Sequence, residues 1–323
     1  MKKNAFGPLG TVSALTLGGG GIGQAWGETS REEAIATICA AVDAGIDLLD
    51  TAPMYRNCEA IVGEAFNGRL PPRLRVTTKY GLGTPAPGEV DKLLTASLEA
   101  SLKAMKIDHA DIFFLHSNIC ADDYVYAIRP DMQDGFATRW SVYAELVIPS
   151  FEKLKAAGKI KSWGLTGSGV PDTIIRALKH EKKPDYVQVV TNLLDSAGSL
   201  RRYAEPARPR EILKTAAEQG VGVLGIRAVQ AGALTAQIDR ALSPNNPDSK
   251  DYARAAPFRA LCAEIGEDPA VVAHRYALSM PGVATVILGV KNREELRQCV
   301  EAEAAGPLAP ALLARIDGLA LRV

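Results

Sequence analysis

A parallel (β/α)8 barrel of the α/β class, one domain over residues 1–323, is the fold this sequence predicts, and three observations predict it. Short apolar runs alternate with longer amphipathic stretches about eight times, the pattern of strands buried on both faces between covering helices. Helical stretches end on glycine directly before the next apolar run, at Gly45, Gly158 and Gly220, the join that a βα repeat needs. No composition shift, low-complexity block or Ser/Gly-rich linker divides the chain, and 47% hydrophobic with 23% charged residues is a globular balance with ample material for one large core.

The strand-like runs are residues 14–17, 46–50, 74–79, 110–116, 160–165, 186–190, 221–226 and 284–288, each about four to seven residues long. Between and after them lie amphipathic stretches at 31–44, 58–66, 90–105, 143–157, 171–179, 208–219, 269–279 and 293–304. Thr29 or Ser30 can cap the first helix, with Glu32 and Glu33 in its opening turn against the dipole. Residues ahead of the first barrel strand suit an N-terminal strand or hairpin, and the tail after Gly306 suits an extra C-terminal helix across one barrel end. Two connections are long, 117–141 and 228–257, and long loops after the strands of such folds line a site.

Bulk properties exclude several functions. Lysine plus arginine equal aspartate plus glutamate at 37 each, so no overall field recruits nucleic acid or an anionic membrane. Cys39, Cys58, Cys120, Cys262 and Cys299 lack the paired spacing of a metal or redox motif, which implies no metal and fits a reducing, cytoplasmic setting. Gly7, Pro8 and Gly10 interrupt the apolar start that follows Lys2 and Lys3, against a signal peptide, and no run of roughly 18 apolar residues spans a membrane.

Gly18, Gly20 and Gly23 satisfy G-x-G-x-x-G after a strand-like run, the mark of a Rossmann dinucleotide site. Context argues against it. The third glycine is followed by Gln24, Ala25, Trp26, Gly27 and Glu28 rather than a helix, and the acidic residue about 20 positions on, Asp43, falls inside the first helical stretch. A turn where backbone comes close to a ligand is the better reading.

Asp50, Lys79 and His116 end three successive apolar runs, IDLLD, RVTTK and DIFFLH, and Tyr55 follows Asp50 by five residues. In a barrel such strand ends open on the face that carries the chemistry. Each alone has an ordinary explanation, as a cap, a solvated lysine or a packed histidine. Together they suit proton transfer. A phenol is a poor donor near neutrality unless tuned, and Lys79 beside Tyr55 is expected to lower its pKa, with Asp50 holding Lys79 charged and His116 donating to a substrate oxygen.

Here the chain resembles the aldo-keto reductase superfamily over nearly its whole length: LTLGGGGIG, LLDTAPMYRNCEAIVGEAF, VTTKYG, DIFFLH, GKIKSWGLTG, VQVVTNLLDS and VILGVKNREELRQC. Within it, GGGGIG and TAPMY are most like the bacterial and plant branch of aldose and pyridoxal dehydrogenases. The resemblance implies the barrel, a catalytic tetrad of Asp50, Tyr55, Lys79 and His116, a nicotinamide dinucleotide and no metal or flavin. It places Gly19, Gly20, Asp50, Thr166, Gly167 and Gln188 at the cofactor, with Arg227 where an aromatic or guanidinium plane stacks on nicotinamide. It puts Gly289, Lys291, Arg293, Glu295 and Cys299 at the adenosine end, where the start of the last barrel helix favours phosphate. Lys291 and Arg293 argue for NADP(H) over NAD(H); Glu295 and Val290 argue the other way.

Trp26, Met54, Tyr80, Asn118 and Trp140 are expected to wall the substrate site, with Tyr124 and Tyr126 in the same long loop suiting an aromatic or cyclic carbonyl. The function implied is reduction of an aldehyde or ketone to an alcohol by a small-molecule enzyme with no nucleic-acid or membrane partner. The same tetrad also serves an NAD-dependent dehydrogenase of a sugar or alcohol, and a non-catalytic dinucleotide-binding subunit is a third possibility.

Overall fold

A computed structural model describes residues 1–323. The chain opens with an antiparallel hairpin, β1 (Lys3–Ala5) and β2 (Thr11–Ser13). It then builds β3 (Leu15–Gly18), β4 (Leu48–Asp50), β5 (Arg75–Tyr80) and β6 (Ala110–Leu115). A short parallel pair follows, β7 (Asn118–Cys120) and β8 (Ala137–Arg139), then β9 (Ile160–Thr166), β10 (Tyr186–Val190), β11 (Gly222–Ile226) and β12 (Thr285–Leu288). Eight of these close a parallel barrel in the order β3-β4-β5-β6-β9-β10-β11-β12, the last pairing back onto β3 through Ile287 and Thr16.

Alternation along the strands sorts each sequence run into two layers. Leu48, Ile112, Phe114, Tyr186 and Leu224 point inward and, with Phe6 from the hairpin turn, fill the lower barrel. Two positions further along the same strands stand Asp50, His116 and Gln188, so the apolar plug leads directly into polar groups at the upper end. The alternate residues, among them Phe113, Leu115, Val187 and Val189, face the helices. Gly164 is needed inside the wall because a Cβ there would meet the Phe114 ring and the Tyr186 carbonyl.

Each predicted helix is present with ends moved by one to a few residues, as frayed termini allow. Ser30 caps the helix Arg31–Asp43 by accepting the Glu33 amide, and Gly45 then turns with φ +90°. Residues 140–156 form one helix that widens to π geometry over Tyr143–Val147. The long connection after β11 contains the helix Pro247–Arg254, and Ala256–Ile265 is a further helix before Pro269–Ser279; neither was expected. The expected C-terminal helix is Pro310–Gly318, tied by Arg315 to Glu264 and by Tyr276 to Asp317. The hairpin turn packs Phe6 into the lower barrel and bonds to the Tyr186 hydroxyl through the Leu9 amide and the Phe6 carbonyl. No helix is long and apolar enough to cross a membrane.

Candidate active site

The strand ends bring three of the four expected catalytic groups into direct contact. Lys79 donates from Nζ to Asp50 Oδ2 at 2.5 Å, to the Thr51 carbonyl at 3.0 Å and to the Tyr55 hydroxyl at 3.1 Å. Asp50 Oδ1 accepts from Thr77 Oγ1 at 2.8 Å and from Gln188 Nε2 at 2.6 Å. Lys79 and Asp50 are 0% and 2% exposed, so their charges are matched inside the barrel rather than in solvent. His116 stands edge-on to the Tyr55 ring with centroids 5.9 Å apart.

Strand geometry sets this arrangement. Thr77 and Lys79 share the inner face of β5, and register pairs Asp50 with Thr77 across β4 and β5. Tyr55 arrives on the short turn Pro53–Tyr55, where Pro53 fixes the first φ and the Tyr55 amide returns to the Ala52 carbonyl.

The electrostatics differ from expectation in one respect. Burial pushes the Tyr55 phenol above its ordinary value, and Lys79, which pulls the other way, does not reverse it. Burial works against the Lys79 charge too, but Asp50 and Tyr55 more than offset that and hold the ammonium above the usual lysine range. Burial, helped by the Lys79 charge, pushes His116 down to about 3, which leaves a neutral imidazole able to donate from one nitrogen. Because Lys79 donates into the Tyr55 oxygen, the phenolic proton is free to point at something else.

The other expected residues divide into two groups. Gln188 and Thr166 are register partners on β10 and β9, and the Gly167 amide donates to the Gln188 carbonyl at 2.6 Å. Gln188 spends its amide N–H on Asp50 while Oε1 accepts from no protein donor; Asn118 accepts from Ser168 Oγ at 3.3 Å and keeps its N–H groups. This is a donor and acceptor set that suits a carboxamide, beside a Gly167 whose Cβ would strike the Gln188 carbonyl. Trp26 is 47% exposed with its indole over Gly20, and Met54, 68% exposed, adjoins Tyr55.

Tyr80 follows Lys79 and so faces outward, packed on the helix-layer core. Trp140 is taken up between Tyr143, the Arg176 guanidinium at 3.7 Å from its ring centroid, and His180. Tyr124 and Tyr126 pack with Phe136 and Tyr203 under the same loop. Arg227, at φ +59°, is pinned by Asp248 at 2.5 Å and Gln230 at 2.8 Å, so its guanidinium anchors the helix Pro247–Arg254. Cys299 turns its thiol to His274 Nε2 at 3.3 Å.

The glycine-rich stretch is demanded by the protein itself. Residues Gly19–Ile22 form a helical turn, and side chains at Gly19, Gly20, Gly21 and Gly23 would strike Cys58, Trp26, the Val290 carbonyl and the Tyr55 carbonyl in turn. The turn therefore nests between Tyr55 and the segment after β12, and no open Rossmann sheet accompanies it. Gly289 and Lys291 lie across this turn, with Thr29 Oγ1 donating to the Lys291 carbonyl at 2.8 Å.

Sequence reasoning missed Thr77, the Thr51 carbonyl, and the carboxylates Glu33, Asp239 and Asp248. Thr77 could have been found by counting two back from Lys79. Asp239 sits in an irregular loop and Asp248 in the first turn of the helix Pro247–Arg254 within the same long connection, where no strand or helix period of the barrel reveals their partners.

The chain has counterparts among known proteins. The model of the "Aldo/keto reductase family" matches residues 14–321. L-galactose dehydrogenase of Arabidopsis thaliana is 25% identical over 90% of this chain and 84% of its own. NADH-specific methylglyoxal reductase of Escherichia coli is 26% identical over 91% of this chain and 92% of its own. The solved aldo-keto reductase AKR11C1 from Bacillus halodurans in its holo form superposes with a TM-score of 0.70 at 23% identity, covering 99% and 96% of the two chains, a likeness of fold. With the whole barrel and its closing helices inside the matched span, the chain belongs to the aldo/keto reductase family.

Proposed function

We propose that this protein is a nicotinamide-dinucleotide-dependent oxidoreductase that reduces an aldehyde or ketone to an alcohol with Tyr55 as proton donor. The observation that carries this reading is the Lys79 ammonium, clamped by buried Asp50 while donating to the Tyr55 hydroxyl. The dinucleotide supplies hydride to the carbonyl carbon. Gln188, Thr166, Asn118 and Gly167 are the groups that would hold its carboxamide, and Gly289 and Lys291 would lie at its phosphate end.

Tyr55 hands its proton to the carbonyl oxygen as that oxygen becomes alkoxide, and neutral His116 donates a hydrogen bond to the same atom. The phenolate left behind lies 3.1 Å from the Lys79 ammonium. Lys79 thus acts chiefly by stabilising the phenolate as it forms, where the low dielectric strengthens the attraction. The upward push on Tyr55 keeps the donor loaded at neutral pH, which favours reduction. Oxidation of a sugar or alcohol on the same groups is the second reading, favoured by the likeness to L-galactose dehydrogenase; it needs the phenolate and so gains with rising pH. A non-catalytic dinucleotide binder has no use for a buried ion pair aimed at a phenol. Lys291 and Arg293, the two basic residues that argue for NADP(H), are each paired with a carboxylate.

The test is loss of NADH or NADPH absorbance with a panel of aldehydes, ketones and sugars, using the parent and Tyr55→Phe. Reduction should fall by about 10²–10⁴ in the variant while dinucleotide binding stays near the parent value. Retained reduction in Tyr55→Phe removes the proton-donor assignment, and no turnover by the parent with any carbonyl removes the enzymatic one.

A further inference from the structure

The start of the helix Arg293–Ala304 is where an adenosine phosphate finds backbone N–H groups and the positive end of a dipole. In this chain the Lys291 and Arg293 backbone donors and both basic side chains are already taken by the protein's own carboxylates. Glu33, from the first barrel helix and 260 positions away in sequence, takes three donors of Arg293: the backbone N–H at 2.9 Å, Nε at 3.1 Å and Nη2 at 2.8 Å. Glu295 Oε2 accepts the Lys291 backbone N–H at 2.8 Å, and its Oε1 lies 3.4 Å from the Lys291 ammonium. Asp239, from the long connection after β11, closes on the same ammonium from the other side. Asn292 Oδ1 takes the Glu295 amide at 2.9 Å. Lys291 and Arg293 at this corner thus meet Glu33, Glu295 and Asp239, the last shared with Arg240 at 3.4 Å.

We infer that Glu33 and Glu295, with Asp239 drawn onto Lys291, select NAD(H) against NADP(H) by filling the donors a 2′-phosphate would need and setting carboxylates beside the place it would take. The inference rests on the reading above that a nicotinamide dinucleotide is the redox partner. A phosphate monoester brings close to two negative charges, so entering this corner means displacing carboxylates from Arg293 and Lys291 and then sitting beside them. A ribose 2′-hydroxyl has the opposite requirement. It is a donor, and a carboxylate is its natural acceptor, as acidic residues serve in other NAD sites. Glu33 stays ionised for this role, since Arg293 holds it down at about 2. Rejection here is built from repulsive groups rather than from lost contacts to the favoured ligand.

Calorimetric titration with NADH and NADPH, on the parent, Glu33→Gln, Glu295→Gln and the double variant, tests this without any substrate. The parent should bind NADH at least tenfold more tightly than NADPH, and that ratio should narrow as salt screens the carboxylates. In the double variant NADPH should tighten at least tenfold while NADH does not tighten. Thermal midpoints of the variants near the parent value keep the comparison clean, because Glu to Gln preserves shape. NADPH bound by the parent as tightly as NADH, or variants in which both affinities move together, overturns the inference alone. Failure of the parent to bind either dinucleotide overturns the redox reading beneath it.

Discussion

Removing the charge from Asp50 while leaving Lys79 in place isolates what the barrel interior does with an unmatched ion. At 2.5 Å and an effective dielectric of about 20 the pair is worth roughly 7 kcal/mol of gross attraction, much of it spent against desolvation. The net cost of breaking a buried pair from one side is about 3–5 kcal/mol, because the surviving charge keeps its desolvation penalty without its partner. Asp50→Asn should therefore destabilise by that amount, a fall in thermal midpoint of roughly 4–7 °C for a chain of this size. Lys79→Met should cost a similar amount, since it strands the Asp50 carboxylate with only Thr77 and Gln188. The double variant strands neither charge and should lose much less than the sum, with a coupling of about 2 kcal/mol or more. Calorimetric melts of the four proteins at pH 7 measure it. Additive losses would show that the two charges do not depend on each other, and the account of Lys79 as an ammonium held for Tyr55 would fall with them.

His274 is buried with Nδ1 unpartnered, and burial pushes its pKa down to about 4, with Asp268 opposing only in part. The folded state then binds fewer protons than the unfolded one, whose histidine titrates near 6.5. The stability linked to His274 is full above pH 6.5 and is lost as pH falls toward 4, by about 3 kcal/mol. His274→Gln should remove that slope, and parallel stability curves for parent and variant across this window would count against it. Gly21→Ala sets a Cβ against the Val290 carbonyl and should cost roughly 1–3 kcal/mol, whereas Gly88→Ala, with nothing within 4 Å, should change stability by under about 0.5 kcal/mol; equal melting of the two would refute the nesting of the glycine turn.

Much of the fold was legible because the relevant physics is local. A strand buried on both faces must be apolar and short, a helix between strands must be amphipathic, and the join must turn at a residue such as Gly45 that tolerates positive φ. The polar residues ending three apolar runs stood out for the same reason: Lys79 interrupts a pattern that otherwise serves only packing. The same alternation could have excluded Tyr80 from the substrate site, since neighbours on a strand face opposite ways. Trp140 and the helix Pro247–Arg254 were not readable, because their partners, Arg176 and Arg227, lie on other elements far along the chain.

By itself the sequence determined the barrel and named the four residues at its mouth, since period, strand-end position and residue chemistry are properties of short segments. Tertiary structure alone decided what those residues experience. Burial outweighs Lys79 at Tyr55, a balance between desolvation and one nearby charge that depends on every atom around the phenol. It likewise decided that Arg293 meets Glu33 across 260 residues of chain, so that a basic residue read as hospitable to phosphate is paired with a carboxylate from the first helix, a contact no local pattern reveals.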